Sequence, residues 1–370
     1  MQFIDLNAQQ KRIRKEIEKR IGKVLDHGRY IMGPEIAELE NQLAEYVGVP
    51  FAVGVGSGTD ALCMALLAHD IRPNDVIFTT PFTFIATAEV VRLLGATPVF
   101  VDIQSDTFNL DPTLLDAAVR ETRSRGNLNP RGIIAVDLFG QAADYDDIHR
   151  VARAHGLFVV EDAAQSFGGS YKGRMAGSLA SVACTSFFPA KPLGGYGDGG
   201  MVFTEDPALH ESLVSIRVHG AGTDKYHNIR IGINGRLDTL QAAILLAKMS
   251  VFKEEIEMRQ MVAERYADGL KGLVTLPRIK AHNVSAWAQY SVLHPDRDRI
   301  VAALRDEGIP TAIYYPIPLH LQEAFACLGH RSGDFPISER IASEIFSLPM
   351  HPYLSAGDQD RIVDAVRRCG

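Results

Sequence analysis

The sequence predicts an α/β protein, with a mainly parallel sheet domain followed by a smaller α+β domain. Short apolar runs alternate with helical stretches between residues 51 and 204, the pattern of strands joined by crossover helices. Most of these runs are continuously apolar, as strands covered on both faces should be. A length of 370 residues also exceeds what one small core organises, which favours a large domain plus a lesser one.

The elements follow in order. Ile13, Ile17, Ile21, Val24 and Leu25 recur at helical spacing. Pro34 opens a second helix with Ile36, Leu39, Leu43 and Val47 on one face, and Gly48 ends it. Seven strands are expected at Phe51–Val55, Val76–Thr79, Pro98–Asp102, Ile133–Asp137, Leu157–Glu161, Ala183–Phe188 and Met201–Thr204. Helices between them include Thr59–His69, Ile85–Leu94 and Tyr145–His155. Past Leu237 a long helical stretch runs toward Leu270. Strand-like Ala286–Leu293, a helix near Ile300–Glu307, strand-like Thr311–Tyr315 and a last helix near Asp358–Arg368 complete the expected small domain. The expected boundary divides the chain into residues 1–245 and 246–370.

Composition narrows the function class. Hydrophobic residues make up 46% and charged residues 22%, a soluble globular balance. The net charge of -7 gives no nucleic-acid footprint, and the basic stretch Lys11–Lys15 is short and interrupted. Cys63, Cys184, Cys327 and Cys369 form no CxxC pair, so neither a zinc site nor a disulfide framework is expected and a reducing compartment fits. No run reaches the roughly 18 apolar residues of a membrane span. Met1–Gln10 carries no apolar signal core. A cytoplasmic location is the expectation.

Two glycine clusters invite a ligand. Gly54-Val-Gly-Ser-Gly-Thr59 follows a strand and precedes a helix. Its backbone N–H groups and the helix N-terminus suit a phosphate. An ordinary glycine turn with Thr59 as helix cap is the plain alternative. No Gly-Lys-Ser/Thr follows, so it is not a Walker loop. The next strand ends in Thr79-Thr80 rather than a ribose-binding carboxylate, which disfavours a dinucleotide. Gly195-Tyr-Gly-Asp-Gly-Gly200 matches GxGxxG only formally, because a strand follows it where a fingerprint needs a helix. That cluster is expected to let a loop pass close to a ligand or to other backbone.

The strand Leu157–Glu161 runs into Asp162, and Ala183–Phe188 runs into Pro189-Ala190-Lys191. Ligands of open α/β sheets collect beyond the carboxyl ends of parallel strands. A structural ion pair would account for a carboxylate and an amine there. So would a pyridoxal 5'-phosphate (PLP) site, with the carboxylate on the pyridinium nitrogen and the lysine as Schiff-base partner. The Gly58-Thr59 helix start and Ser186 offer donors for the phosphate, and Phe84 offers a ring to stack on the cofactor.

The segments GSGTDAL, PFTFIATAEVV, FNLDP, EDAAQSFGGSYKG, SFFPAKPLGGYGDGG and NGRLDTLQAA, in that order, resemble the DegT/DnrJ/EryC1/StrS family over nearly the whole chain. These are fold-type I, PLP-dependent sugar aminotransferases. The resemblance implies a transferase in which Lys191 forms the Schiff base and Asp162 partners the pyridinium. Gln165 would bond the 3'-oxygen. Gly58, Thr59 and Ser186 would hold the phosphate, and Phe84 would stack on the ring. It also implies a homodimer with shared active sites, in which Asn234 reaches the neighbouring subunit's phosphate and Arg236 stands on the substrate side. FIDLNAQQ, HGRYIMGPE, RLDTLQAAILL, YPIPL and SLPMHPYL look like the members acting on UDP-2-acetamido-2-deoxy-3-oxo-glucuronate for bacterial lipopolysaccharide. By that likeness Gly28, Tyr30, Arg236, Tyr314 and Tyr315 line the UDP-sugar site, and glutamate is the amino donor. An aminotransferase acting on a 4-keto sugar is the second expectation.

Three positions depart from the family pattern. Ala190 stands where relatives often carry Ser, Tyr314 where His is expected, and Asp137 where His or Ser is common. His219, in Arg217-Val-His-Gly220, resembles a turn near the family's active site. His149 and His155 are expected on a solvent face, and Phe187-Phe188 in the core.

Overall fold

Seven strands form one sheet in a computed structural model that describes residues 1–224 and 226–369. They are β1 (Phe51–Val55), β2 (Asp75–Thr79), β3 (Thr97–Phe100), β4 (Asn129–Val136), β5 (Phe158–Asp162), β6 (Val182–Ser186) and β7 (Gly200–Thr204). Their order across the sheet is β1-β7-β6-β5-β4-β2-β3. Strand β7 runs against both its neighbours and the other six are parallel. This is the fold-type I architecture expected from the sequence.

The apolar runs are continuous because alternate residues serve two different cores. On one face Val53, Val55, Ile134, Val160, Val182 and Val202 pack with helices Gly58–Ala68, Ala86–Leu93 and Pro207–Ile216. On the other, Ile133, Ala135 and Val159 meet helices Pro112–Arg125 and Tyr145–His155. Ala52, Ala183, Met201 and Phe203 meet helix Pro34–Val47 and the long helix Thr239–Leu270 on that same face.

Several expectations are corrected. Helices Pro112–Arg125 and Pro207–Ile216 are additional to those expected, and Asp111 and Asp206 cap them through side-chain oxygens with Pro at the first turn. Thr311–Tyr315 is not a strand. Ala312 makes one isolated bridge to Ser347, and Ile345–Leu348 pairs antiparallel with Tyr290–Leu293 instead. His149 Nε2 donates to the Leu179 carbonyl (2.7 Å) and His155 meets Asp116 (2.7 Å), so neither stands free on a solvent face.

The helix Thr239–Leu270 runs straight through residue 245. Leu245, Leu246, Phe252 and Ile256 pack in the core against the sheet, whereas Val262, Tyr266 and Leu270 pack in a separate core with Tyr290, Phe346 and Leu348. Two polar braces join the sheet side of the chain to its C-terminal third. Asp102, beyond β3, accepts the N–H groups of Ile337 (2.9 Å) and Ser338 (3.0 Å) and the Ser338 hydroxyl (2.6 Å), and so caps helix Pro336–Glu344. Gln141 donates to the Arg278 carbonyl (3.0 Å) and accepts from Lys280 N–H (2.8 Å) and the Asn283 amide (3.2 Å). No helix among the described residues is long and apolar enough to cross a membrane.

Candidate active site

The parallel strands deliver their carboxyl ends to one edge, and a cavity of about 390 Å³ opens there. Gly58, Thr59, Phe84, Asp162, Gln165 and Ser186 line it, together with Lys191, Tyr314 and Tyr315. Gly28, Tyr30, Asn234 and Arg236 do not line the cavity of their own chain. His219 also lies outside it.

One end is built for an anion. Ser57, not Thr59, caps helix Gly58–Ala68, its hydroxyl accepting the Asp60 N–H at 2.9 Å. Gly58 and Thr59 therefore present first-turn N–H groups that have no intrahelical acceptor. Glycine is required at 58 because a Cβ there would lie 2.7 Å from the Ser186 Cβ. The close approach places the Ser186 hydroxyl beside the helix start. Gly200 is needed for a related reason, since its Cβ would lie 2.5 Å from the Ser57 carbonyl oxygen. The second glycine cluster thus lets strand β7 pass against the phosphate loop.

At the other end Asp162 is fully sequestered. Its Oδ2 accepts the Thr87 hydroxyl at 2.9 Å, and Thr87 in turn shares a 3.2 Å hydrogen bond with Thr83. Oδ1 accepts the Ala164 N–H at 3.3 Å. Burial raises the Asp162 pKa, opposed by the Thr87 and Ala164 hydrogen bonds and by the charge of Lys191. Burial lowers the Lys191 pKa, opposed by Asp162. The two groups feel each other's charge, yet no ion pair within 4 Å joins them among the described residues. An amine and a carboxylate that line one cavity without pairing suit a flat ring that one would bond and the other would face.

Gln165 is oriented by its partners. Its Oε1 accepts the Phe139 N–H at 2.7 Å and its Nε2 donates to the Tyr315 hydroxyl at 3.0 Å. The second amide hydrogen is left for a ligand oxygen. Burial raises the Tyr315 pKa. Phe84 is 55% exposed and flanks the opening.

Ile4, Thr87, Phe188, Asp198 and Gln289 also line the cavity and carry no local signal in the sequence. Phe188 corrects an expectation. Phe187 is buried in the core, but Phe188 is 52% exposed and faces the cavity. Asp137 lies behind the sheet rather than in the cavity. An anion cradle, a buried carboxylate, a buried amine and an aromatic cover together match the parts of pyridoxal phosphate.

The comparisons agree with the geometry. Residues 11–367 match the model of the DegT/DnrJ/EryC1/StrS aminotransferase family. The chain is 48% identical to the UDP-2-acetamido-2-deoxy-3-oxo-D-glucuronate aminotransferase of Pseudomonas aeruginosa, covering 96% of each chain. It is 39% identical to the dTDP-3-amino-3,4,6-trideoxy-alpha-D-glucose transaminase of Streptomyces venezuelae, covering 99% of this chain and 95% of that one. The crystal structure of a DegT DnrJ EryC1 StrS aminotransferase from Brucella abortus superimposes with a TM-score of 0.97 at 50% identity, covering 100% of this chain and 99% of that one. A Bacillus subtilis structure with bound cofactor PMP superimposes with a TM-score of 0.89 at 28% identity, covering 99% and 83%. The chain belongs to the DegT/DnrJ/EryC1/StrS aminotransferase family and is a pyridoxal-phosphate-dependent sugar aminotransferase.

Proposed function

We propose that the protein transfers the amino group of glutamate to C3 of UDP-2-acetamido-2-deoxy-3-oxo-glucuronate, as a homodimer whose two cavities each borrow side chains from the partner. The observation that carries the shared site is a charge imbalance. Lys191 is the one cationic side chain lining the cavity among the described residues, against the carboxylates Asp162 and Asp198. A cofactor phosphate, a sugar diphosphate and a uronate bring several negative charges, and anions of that kind call for arginine.

Residues that would complete the site lie together on the chain's surface. Thr239 N–H donates to the Tyr30 carbonyl at 3.0 Å, and Ile31 bridges Asp238. Asn234 bridges Val218 and Arg236 bridges Val55. Tyr30 and Asn234 are exposed, and the Arg236 Nε is buried without an acceptor. Ile229 and Ile231, 51% and 84% exposed, add apolar area on the same loop. Gly28, Tyr30, Asn234 and Arg236 of one chain supply what the partner's cavity lacks.

Pyridoxal phosphate supplies an electron-withdrawing ring that lets a carbon-bound proton leave. The protein does the rest. Ser57, Gly58, Thr59 and Ser186 would hold the phosphate and Phe84 would cover the ring. Asp162, as a buried anion, would favour the protonated ring nitrogen. The Lys191 amine takes the proton from the glutamate Cα, and its depressed pKa makes the free base available nearer neutrality. Tyr314 and Tyr315 present apolar faces with hydroxyls to the sugar. The 48% identity to the Pseudomonas enzyme supports a UDP-linked 3-keto uronate, above the 39% to the dTDP-sugar enzyme. Such an amino sugar suits the cytoplasmic pool from which bacterial lipopolysaccharide is built.

Mixing the Lys191→Ala and Arg236→Ala proteins tests the shared site. Each alone should be inactive, and random exchange should restore about a quarter of wild-type activity, because each mixed dimer keeps one intact site. No recovery despite exchange sinks the shared-site reading. Incubation with glutamate followed by UDP- and dTDP-linked 3-keto and 4-keto sugars tests the substrate. Preferential turnover of a 4-keto sugar overturns the C3 assignment.

A further inference from the structure

Behind the sheet from Asp162 lies a second carboxyl cluster that the reaction does not use. Glu161 and Asp162 are consecutive on β5, so their side chains leave opposite faces. Asp162 faces Thr87 and the cavity. Glu161 faces the other way and meets Asp137, which follows the end of β4. Both Asp137 and Glu161 are completely buried, at 0% exposure.

Their oxygens are surrounded by donors. Asp137 Oδ1 accepts the Ala143 N–H at 2.9 Å and the Tyr145 hydroxyl at 3.0 Å, and Oδ2 accepts the Ser166 hydroxyl at 2.7 Å. Glu161 Oε1 accepts the Gly177 N–H at 2.7 Å, and Oε2 accepts the Leu179 N–H at 2.8 Å. Asp137 follows Val136, which pairs with Asp162, so its side chain leaves the same face as Glu161 on the adjacent strand. Two ionised carboxylates side by side at 0% exposure would leave like charges buried together, and that favours keeping one proton on the pair. Tyr145, from helix Tyr145–His155, is the ionisable side chain that donates to the pair; Asp162 and Cys184 lie across the sheet on the cavity side, and no ion pair to either carboxyl is formed among the described residues.

We propose that Asp137 and Glu161 form a proton-sharing carboxyl pair that positions Asp162 and Gln165 from the far face of the sheet. Asp137 holds both ends of the turn that carries them. Its backbone N–H donates to the Asp162 carbonyl at 3.1 Å, and its carboxylate holds the Ser166 hydroxyl. The chain after Asp137 then brings the Phe139 N–H to Gln165. Glu161 ties the pair to the 177–179 loop and supplies the hydrogen that lets Asp137 stay in place. Desolvation pushes both Asp137 and Glu161 above the usual carboxylate range.

The inference rests on the assignment of the cavity to pyridoxal phosphate, so its first test uses cofactor-free protein and the two can fail separately. Infrared spectra of that protein at pH 8 should show the carbonyl stretch of a protonated, buried carboxyl. Glu161→Gln and Asp137→Asn should each abolish it. A wild-type spectrum without the band overturns the proton sharing. The second test is cofactor affinity. Asp137→Ala should weaken pyridoxal phosphate binding about tenfold, and Asp137→Asn, which keeps shape and an acceptor, should restore most of it. Equal affinities for the Ala and Asn proteins overturn the positioning role. Should Asp137→Ala fail to fold, Ser166→Ala removes only the far end of the brace, and an unchanged affinity overturns the role equally. Thermal stability adds an independent readout. The pair binds its shared proton more tightly folded than unfolded, so its contribution is full below the ordinary carboxylate pKa of about 4 and is lost as pH rises through the pair's raised folded value. Asp137→Asn should flatten that slope, and an unaltered slope counts against the pair.

Discussion

The Thr87 hydroxyl donates to Asp162 Oδ2 at 2.9 Å, joining two residues 75 positions apart in the chain. Thr87 lies in the first turn of helix Ala86–Leu93, and Asp162 ends β5. The bond stabilises the ionised carboxylate against the burial that raises its pKa. Thr87→Val keeps the shape and removes the donor. Pyridoxal phosphate affinity should fall about 3–10-fold, the worth of one hydrogen bond to a charged group. Fluorescence titration of the cofactor-free protein measures it.

Gly58→Ala should be far more damaging than its size suggests. The added Cβ would meet the Ser186 Cβ at 2.7 Å, so the phosphate loop or β6 must shift. A cost of about 1–3 kcal/mol is expected from such overpacking, read as loss of cofactor affinity. Ser186→Gly in the same protein removes the clashing atom. A double-mutant cycle should therefore show coupling well above about 0.5 kcal/mol.

The pH dependence of cofactor uptake follows from Lys191. Attack on the aldehyde needs the free amine, and burial lowers the lysine pKa from its ordinary value. The recombination rate of cofactor-free protein with pyridoxal phosphate should rise with pH, to a midpoint below about 10.4. Asp162 opposes the lowering. Asp162→Asn should therefore move the midpoint lower still, whatever it does to the plateau. Stopped-flow absorbance across pH reads both numbers.

Asp102→Ala should loosen the helix Pro336–Glu344. The substitution strips the acceptor from two N–H groups and one hydroxyl at the start of helix Pro336–Glu344. Loss of a cap together with a buried hydroxyl bond should cost about 2–3 kcal/mol. Urea unfolding should show a lowered midpoint, and limited proteolysis should cut first near residues 329–336.

Much of this is legible in the sequence because the signals are local. The strand Phe51–Val55 lies where its apolar run places it, and β5 and β6 deliver Asp162 and Lys191 to the sheet edge as expected. Gly58 announces a close approach, though not that Ser186 is the neighbour. The rest is weakly signalled or distant. Helices Pro112–Arg125 and Pro207–Ile216 are marked mainly by their Asp-Pro starts, a cue that apolar spacing alone does not weigh. Thr311–Tyr315 looks like a strand by composition, yet Ile345–Leu348 takes the pairing that decides it. Thr87, Gln289 and Ile4 reach the cavity through tertiary packing that no spacing rule encodes. Phe188 reads as core because its neighbour is core, and only the turn after β6 sends the two rings to different surroundings.

The braces at Asp102 and Gln141 have a bearing on how ligands enter. Both fasten the C-terminal third of the chain to the sheet with no ligand needed to draw them together. Tyr314, Tyr315 and Gln289 therefore stand in the cavity wall without a ligand to draw them there, an arrangement that favours rigid docking over hinge closure. Inhibitors that mimic the sugar should accordingly gain most from stiffness, since the receptor side has little left to freeze.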